Sequence, residues 1–255
     1  MSELERVAHG LSARGMCLKT YIDEHMRYIL FGWIGEVTFD MGFNLETLFL
    51  ASNITDRYLS VKKGVSRRKL QLVAITSILI ASKVEEIHVP NIDCFARMTA
   101  GENDVDDVRG MEVEILKCLE YRLHCPTVAT YLGIIDCVVH KDDTTRLSSV
   151  GHFLSELALV DYKMLQFPAS LVASAVAWCA RLLLNQAPWT GELQALTGYT
   201  PQELLPCVDL LMSWHRHTYQ NAQSAAASAP HLHIYTKYKA NRHFQVAQIP
   251  PPFDG

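Results

Sequence analysis

The sequence has few of the residues that interrupt helices. Its 255 residues include 13 glycines and 10 prolines, together about 9% of the chain where about 12% is usual. That shortage argues against an all-β chain with many tight turns. An excess of positive charge is also missing, since the net charge is −4. This balance disfavours sequence-independent binding to nucleic acid, which needs many Lys and Arg side chains.

Paired cysteines and the common catalytic motifs are absent as well. No two cysteines form a Cys-x-x-Cys pair, which predicts free thiols in a reducing compartment. There is no Walker A loop, Gly-x-Gly-x-x-Gly, Gly-x-Ser-x-Gly, His-Glu-x-x-His or kinase His-Arg-Asp motif. We therefore expect no catalytic activity, no metal and no cofactor. The seven cysteines are Cys17, Cys94, Cys118, Cys125, Cys137, Cys179 and Cys207.

The sequence also shows no apolar run typical of a membrane span and no pattern typical of a signal peptide. Two long apolar runs without a charged residue are residues 70–82 and 164–180. The first is too short to span a bilayer, which takes about 20 residues. The second carries Gln166 and Pro168, and the first residues are acidic and polar. These features predict a soluble, intracellular protein with no membrane partner.

What the sequence does have is helical periodicity almost throughout. Because a helix that is apolar on all sides must be surrounded by other helices, we predict two bundles with the third helix of each at its centre. The breaks between predicted helices fall at Gly or Pro residues such as Gly42, Pro90 and Pro126. The predicted helices lie near 24–41, 45–60, 67–83, 91–98 and 104–119, and near 127–139, 145–159, 168–185, 190–197 and 201–219.

The first predicted helix carries two apolar stripes. Either both stripes are core, or one faces a partner protein with Trp33 as its anchor. Phe31, Ile34 and Met41 form one stripe, with Arg27 among them. The other consists of Met26, Ile29, Leu30, Trp33 and Val37, with Glu36 at its edge.

Charged residues on apolar stripes indicate ion pairs. Unpaired burial of Arg27 would cost about 3–5 kcal/mol, and Asp56 is its candidate partner unless both side chains are solvated. Glu112 lies within the apolar stripe of the fifth helix, where a carboxylate is either paired or open to a partner. Lys83 ends the third helix, a place where a cation is favourable by itself. Lys83 and Glu112 together make the more specific pair.

Five strings then resemble a known family. "MRYILFGWIGEVTFDMGFNLETLFLASNITDRYLSV", "RRKLQLVAITSILIASKVEEIHVP" and "MEVEILKCLEYRLHCPTVATYL" resemble the cyclin box. "FPASLVASAVAWC" and "LQALTGYTPQELLPCVDLL" are similar to the C-terminal cyclin fold of mitotic A/B-type cyclins. The resemblance covers about residues 20–222. It implies an all-α chain of two tandem five-helix cyclin folds, at 23–124 and 125–222, with an N-terminal helical segment at 1–22 and a C-terminal tail at 223–255.

The resemblance also implies a function. It is that of a non-catalytic, activating subunit of a cyclin-dependent Ser/Thr protein kinase, working in the nucleus and cytoplasm during cell-cycle progression. Arg27 and Asp56 match the family's buried ion pair. The positions that contact the kinase are matched by Lys83, Glu112, Leu116, Tyr121 and Leu123. Those that dock Arg-x-Leu motifs of substrates and inhibitors are matched by Met26, Ile29, Leu30, Trp33, Glu36, Leu70 and Gln71.

The sequence departs from the family pattern at a few positions. Tyr28 replaces a usual Ala and Val84 a usual Phe, which makes one kinase contact smaller. Gly32 and Gly35 each weaken the first helix by about 1 kcal/mol relative to Ala. The alternative function is a cyclin-fold transcription factor that binds promoter DNA or a transcriptional kinase. It predicts a basic face and usually a zinc ribbon, and the acidic balance and unpaired cysteines count against it.

Overall fold

The computed structural model describes residues 22–139, 144–222 and 229–252. These residues form helices and turns, with no strand among them, so the prediction of an all-α chain is confirmed. The chain divides into two units, the first ending at Thr127 and the second beginning at Val128. In the described ranges, no helix is long and apolar enough to cross a membrane.

The first unit is built around its third helix. α3 packs against each of the other α-helices in this unit, and all its residues are buried except Gln71 and the last three. Ser77 is tolerated inside because its hydroxyl donates to the carbonyl oxygen of Val73 (2.8 Å). The α-helices of the unit are α1 (Glu24–Asp40), α2 (Leu45–Val61), α3 (Leu70–Glu85), α4 (Ile92–Arg97) and α5 (Val105–Cys118).

Three of these helices begin at side-chain caps. Asp23 accepts a hydrogen bond from the backbone N–H of Met26 (2.7 Å), and Asn44 accepts one from that of Thr47 (2.9 Å). Asp104 and Asp107 cap each other's backbone N–H groups at the start of α5. Each cap satisfies donors that the first turn of a helix leaves free, and so sets where the helix starts.

The second unit repeats this plan around α8. That helix is the third of its unit and packs against α6, α7 and α10. Its small residues Ala173, Ala177 and Ala180 are buried and let the neighbouring helices approach closely. The helices of the unit are α6 (Val128–Val139), α7 (Thr144–Val160), α8 (Ala169–Leu183), α9 (Gly191–Thr197), α10 (Pro201–Ala222) and α11 (Pro230–Tyr238).

The tail holds a helix that periodicity did not mark. α11 has nine residues, too few to be stable alone, and it is held by contacts with α7. The Tyr238 hydroxyl donates to Glu156 Oε1 (2.7 Å), and Lys237 Nζ bonds the same oxygen (2.6 Å). Of the predicted segment at 1–22, all but Ile22 lies outside the described residues.

Another difference concerns the start of the third helix. The periodicity predicts that it begins at 67. Instead, Arg67–Lys69 form a 3₁₀ turn, and the α-helix runs from Leu70 to Glu85. The three residues of the turn are all exposed, so no burial draws them into the regular helix.

Candidate protein-binding surfaces

A buried ion pair joins α1 to α2. Arg27 Nε donates to Asp56 Oδ1 (3.1 Å) and its Nη2 donates to Oδ2 (2.8 Å), which is the strong bidentate arrangement. Both side chains are buried, and the guanidinium carbon of Arg27 lies 3.9 Å from the centroid of the Phe31 ring. The structure therefore brings the two residues together rather than leaving each in solvent.

The two apolar stripes of α1 differ in burial. Phe31 and Ile34, which share a stripe with Arg27, lie in the core. The second stripe is split, because Leu30 and Val37 are buried as well. The second stripe is therefore only partly available to a partner protein.

A narrower strip of that second stripe remains at the surface. Ile29 is 47% exposed, and Met26, Trp33 and Glu36 are half-buried. We call the residues that the sequence predicts for motif docking the α1 surface: Met26, Ile29, Leu30, Trp33, Glu36, Leu70 and Gln71.

Topology places the start of α1 and the start of α3 at the same end of the unit. The Arg27–Asp56 pair sets the start of α1 beside the end of α2. Only residues 62–69 connect α2 to α3, so these packed helices run antiparallel and α3 starts at that same end. Leu70 is buried there and Gln71 is half-buried.

A second surface lies where α3 ends against α5. Lys83 Nζ bonds Glu112 Oε1 at 2.5 Å. The Lys83 side chain is 47% exposed and that of Glu112 is 17% exposed, so the pair is open to a partner on the Lys side. The apolar stripe around Glu112 otherwise faces the core, with Val108 and Ile115 fully buried.

The end of α5 brings two more predicted contact residues together. The backbone N–H of Tyr121 donates to the carbonyl oxygen of Leu116 (2.9 Å), and that of Glu120 donates to Lys117 (3.1 Å). This is the Schellman pattern, which needs a left-handed residue and usually has glycine there. Here Glu120 (φ 51°) and Tyr121 (φ 58°) take that conformation. Tyr121 ends 65% exposed, with Leu123 half-buried after it.

We name this second group the α3–α5 surface, after the helices that carry most of it. One turn separates Glu112 from Leu116 on α5, and the backbone bond from Tyr121 to Leu116 sets the turn after α5 next to that residue. Its members are Lys83, Glu112, Leu116, Tyr121 and Leu123.

Arg57 holds the turn in place from within the unit. Its Nη2 donates to the carbonyl oxygen of Arg122 (2.6 Å), and its Nη1 reaches Asn53 Oδ1 at 3.4 Å. The side chain is buried, and burial lowers the pKa of the guanidinium. No carboxylate among the described residues forms a salt bridge with it. Sequence reasoning missed Arg57, which directly follows the Asp56 that was singled out.

A chain of polar contacts fixes α5 against the end of α2. The Tyr58 hydroxyl donates to Glu114 Oε1 (2.8 Å), and Lys62 Nζ lies 2.7 Å from the same oxygen. The bonds from Lys62 and Tyr58 lower the pKa of Glu114, whereas burial raises the pKa of Tyr58. The carboxylate is therefore the charged member of the Tyr58–Glu114 pair, and it orients the helix that carries Glu112.

Ile87 is a further residue that the sequence analysis did not single out. It is 93% exposed, and it lies four residues after Lys83. Its only sequence signal is its place in the "KVEEIHVP" part of the cyclin-box string. Elsewhere in the described residues, no group of three or more His, Cys, Asp or Glu side chains is arranged to hold a metal ion.

Comparison with known proteins decides the family. The model of the cyclin N-terminal domain matches residues 1–124, and that of the cyclin C-terminal domain matches residues 126–252. The chain belongs to the cyclin family. Within it, the curated relatives are mitotic cyclins of the A and B types from plants.

Three relatives show the extent of the similarity. This cyclin is 36% identical over 232 residues to G2/mitotic-specific cyclin S13-7 of Glycine max, covering 90% of this chain and 86% of that one. It is 36% identical over 237 residues to cyclin-B1-2 of Arabidopsis thaliana, covering 92% and 51%. It is 34% identical to cyclin-A3-1 of Oryza sativa subsp. japonica, covering 91% and 61%. The chain thus spans about half the length of several curated relatives.

Solved structures share the fold at low sequence identity. A viral cyclin from herpesvirus saimiri superposes with a TM-score of 0.70 at 18% identity, covering 82% of this chain and 96% of the other. A chain of the yeast RNA Pol II CTD kinase CTDK-1 complex gives a TM-score of 0.63 at 14% identity, covering 100% and 86%. These matches agree with the two helical units described above.

Proposed function

We propose that this cyclin is the activating, non-catalytic subunit of a cyclin-dependent Ser/Thr protein kinase, and that it acts in cell-cycle progression in the nucleus and cytoplasm. The observation that carries the proposal is the half-exposed Lys83–Glu112 pair, together with the outward-facing Tyr121. The names of the relatives, which are mitotic cyclins, support a cell-cycle role over the transcription-factor alternative.

The α3–α5 surface offers a kinase both polar and apolar contacts. The Lys83 ammonium has three donors and bonds Glu112 with one of them, so others remain for carbonyl groups near the kinase C-helix. Tyr121 and Ile87 add exposed apolar area. Because Glu112 already holds the ammonium, Lys83 loses little side-chain entropy on binding.

The mechanism is a population shift of the kinase. The kinase is active when the Glu of its C-helix meets the Lys that binds ATP, and the cyclin binds that conformation better. Turning a 1:99 population into 99:1 takes about a 10⁴-fold preference, or about 5.5 kcal/mol. A contact that buries about 220 Å² more apolar surface against the active conformation than against the inactive one supplies that preference. This is the area of two or three large side chains. No residue of the cyclin takes part in phosphoryl transfer.

The α1 surface is proposed to recruit substrates and inhibitors. Trp33 and Ile29 offer an apolar site for the Leu of an Arg-x-Leu motif. Glu36 lies three residues after Trp33, nearly one helical turn on, where its carboxylate suits the Arg of the motif. The Arg27–Asp56 pair underneath keeps α1 in register with α2.

Reversal of one charge on the α3–α5 surface tests the kinase contact. Lys83→Glu places a second carboxylate beside Glu112 and should abolish activation of the co-purified kinase, measured as phosphate transfer to histone H1. Helicity by circular dichroism should not change. Lys239→Glu, the same change at an exposed lysine of the second unit, is the control and should leave activation intact. Full kinase activity with Lys83→Glu would contradict the assignment.

Truncation of the anchor tests the α1 surface separately. Trp33→Ala should slow phosphorylation of substrates that carry an Arg-x-Leu motif about tenfold, because it removes a large part of the apolar contact. Phosphorylation of a short peptide without the motif should proceed at the wild-type rate. Equal losses on both substrates would argue against a docking surface.

A further inference from the structure

Residues 62–69 form a concentrated basic loop on an acidic protein. The loop, "KKGVSRRK", holds five cations and no acid. Since the whole chain has a net charge of −4, the remaining residues carry −9 in total. All residues of the loop except Val65 are exposed. The loop is therefore a positively charged region on a chain whose other residues are negatively charged overall.

Most of this charge is not neutralised within the unit. Lys62 is paired with Glu114, and the positive charge of Lys69 also helps to lower the pKa of that carboxyl. Lys63, Arg67, Arg68 and Lys69 form no ion pair with any described residue. Four exposed cations within seven residues repel one another, and an anion bound from outside would relieve that repulsion.

The basic loop is continuous with the α1 surface. Its last residue, Lys69, directly precedes Leu70 and Gln71, and the start of α1 lies at the same end of the unit. An extended peptide advances about 3.3 Å per residue. A peptide held on the α1 surface therefore needs only a few more residues to reach the loop.

We propose that the basic loop binds phosphoserine-bearing segments that flank a docked Arg-x-Leu motif, so that this cyclin prefers substrates that are already phosphorylated. The inference rests on the proposed docking function of the α1 surface. It adds to that function a second, electrostatic contact that reads the phosphorylation state of the substrate.

The shape of the loop favours a phosphopeptide over a nucleic acid. The 3₁₀ turn Arg67–Lys69 holds three cations within one turn of backbone, which makes a compact charge cluster rather than a long row of cations. Arg67 and Arg68 are of the side-chain type that grips a phosphate with two hydrogen bonds. Tight nucleic-acid binding takes many phosphate contacts along an extended surface, and the loop holds only four cations without an ion pair.

Fluorescence anisotropy with the full chain and labelled peptides tests the proposal. One peptide carries Arg-x-Leu alone, and two more add a pair of phosphoserines three to five residues before or after the motif. We expect at least one phosphopeptide to bind about tenfold more tightly than the unmodified peptide at low salt. The gain should disappear near 0.5 M NaCl, since salt screens exposed charges. No gain for either phosphopeptide overturns the proposal.

The variant Arg67→Glu/Arg68→Glu assigns the gain to the loop. Its side chains are exposed, so it should fold normally while losing the phosphate-dependent gain and keeping its affinity for the unmodified peptide. Arg109→Glu/Lys117→Glu, the same charge change at exposed residues of α5, is the matched control and should keep the gain. A gain that survives Arg67→Glu/Arg68→Glu, or is lost equally in the control, overturns the proposal.

Two further peptides separate this inference from the docking proposal. If the Arg-x-Leu peptide binds no better than a version with alanines in the motif, docking fails. Phosphoserine binding without the motif, sensitive to Arg67→Glu/Arg68→Glu, would still support the basic loop as an anion site. A single-stranded oligonucleotide of equal charge that binds more tightly than the phosphopeptide would overturn the choice of ligand.

Discussion

The Arg27–Asp56 pair offers the most quantitative test of the first unit. Arg27→Met keeps the length and most of the apolar volume of the side chain and removes both hydrogen bonds to Asp56. It also removes the cation above the Phe31 ring. The Asp56 carboxylate, whose side chain is 6% exposed, would remain buried without its counter-ion.

The expected loss follows from that burial. Breaking a buried pair by removing one partner costs about 3–5 kcal/mol, because the charge left behind is uncompensated. For chains of 150–250 residues, 1 kcal/mol lowers the melting temperature by about 2–4 °C. We therefore expect Arg27→Met to melt roughly 6–20 °C lower than the wild type.

The second half of the test replaces both partners. A buried pair exchanged for apolar residues of similar size is often close to neutral, so Arg27→Met/Asp56→Leu should recover most of the loss. Urea unfolding of the wild type, the two single variants and the double variant, followed by circular dichroism, gives the coupling energy. Arg109→Met, at an exposed arginine, is the control and should change stability by less than about 0.5 kcal/mol.

A small loss of stability would contradict the burial of the Arg27–Asp56 pair. If Arg27→Met costs only about 1 kcal/mol or less, the pair behaves like one in solvent and the buried geometry is wrong. A double variant less stable than both single variants would refute the claim that the uncompensated charge causes the loss.

Two further predictions concern other buried groups. Arg57→Met removes the bond to the Arg122 carbonyl and should loosen the turn that presents Tyr121, weakening kinase binding about tenfold by calorimetry. Tyr238→Phe, which loses its buried bond to Glu156 in the second unit, should keep its affinity; equal weakening in both would show a general loss of stability only. Burial lowers the pKa of His215 from 6.5 to about 4. The unfolded chain therefore binds the extra proton first, and stability should fall by roughly 3 kcal/mol as the pH drops from 6.5 to 4. Denaturation of His215→Leu should show a weaker pH dependence, and an unchanged profile would contradict this origin.

Local signals predicted the helices well. Apolar spacing and polar start residues such as Asn44 act within one or two turns, and the observed helix of Leu45–Val61 lies within one residue of the predicted one at 45–60. The short helix Pro230–Tyr238 was missed because its stability comes from Glu156 on another helix. Because Glu156 lies far from this helix in sequence, the local pattern of residues 230–238 does not reveal the contact.

The candidate site residues likewise include some that the sequence pattern marked and some that it did not. Lys83 and Glu112, 29 residues apart, stood out because a charge at an apolar position needs a partner, and the family resemblance supplied the pairing. The contact from Arg57 to Arg122 spans 65 residues and ends on a carbonyl oxygen. Every residue has a carbonyl oxygen, so no pattern of side chains marks the one that will be used.

By itself, the sequence determined the helical class, the two central apolar helices and the charged residues that had to find partners, because each depends on side-chain chemistry at regular spacing. Only the tertiary structure decided which strip of α1 stays exposed, how Tyr121 is held outward and where the basic loop lies relative to the docking residues. Those features depend on which backbone groups and helix ends meet in space, and the packing of the whole unit sets that.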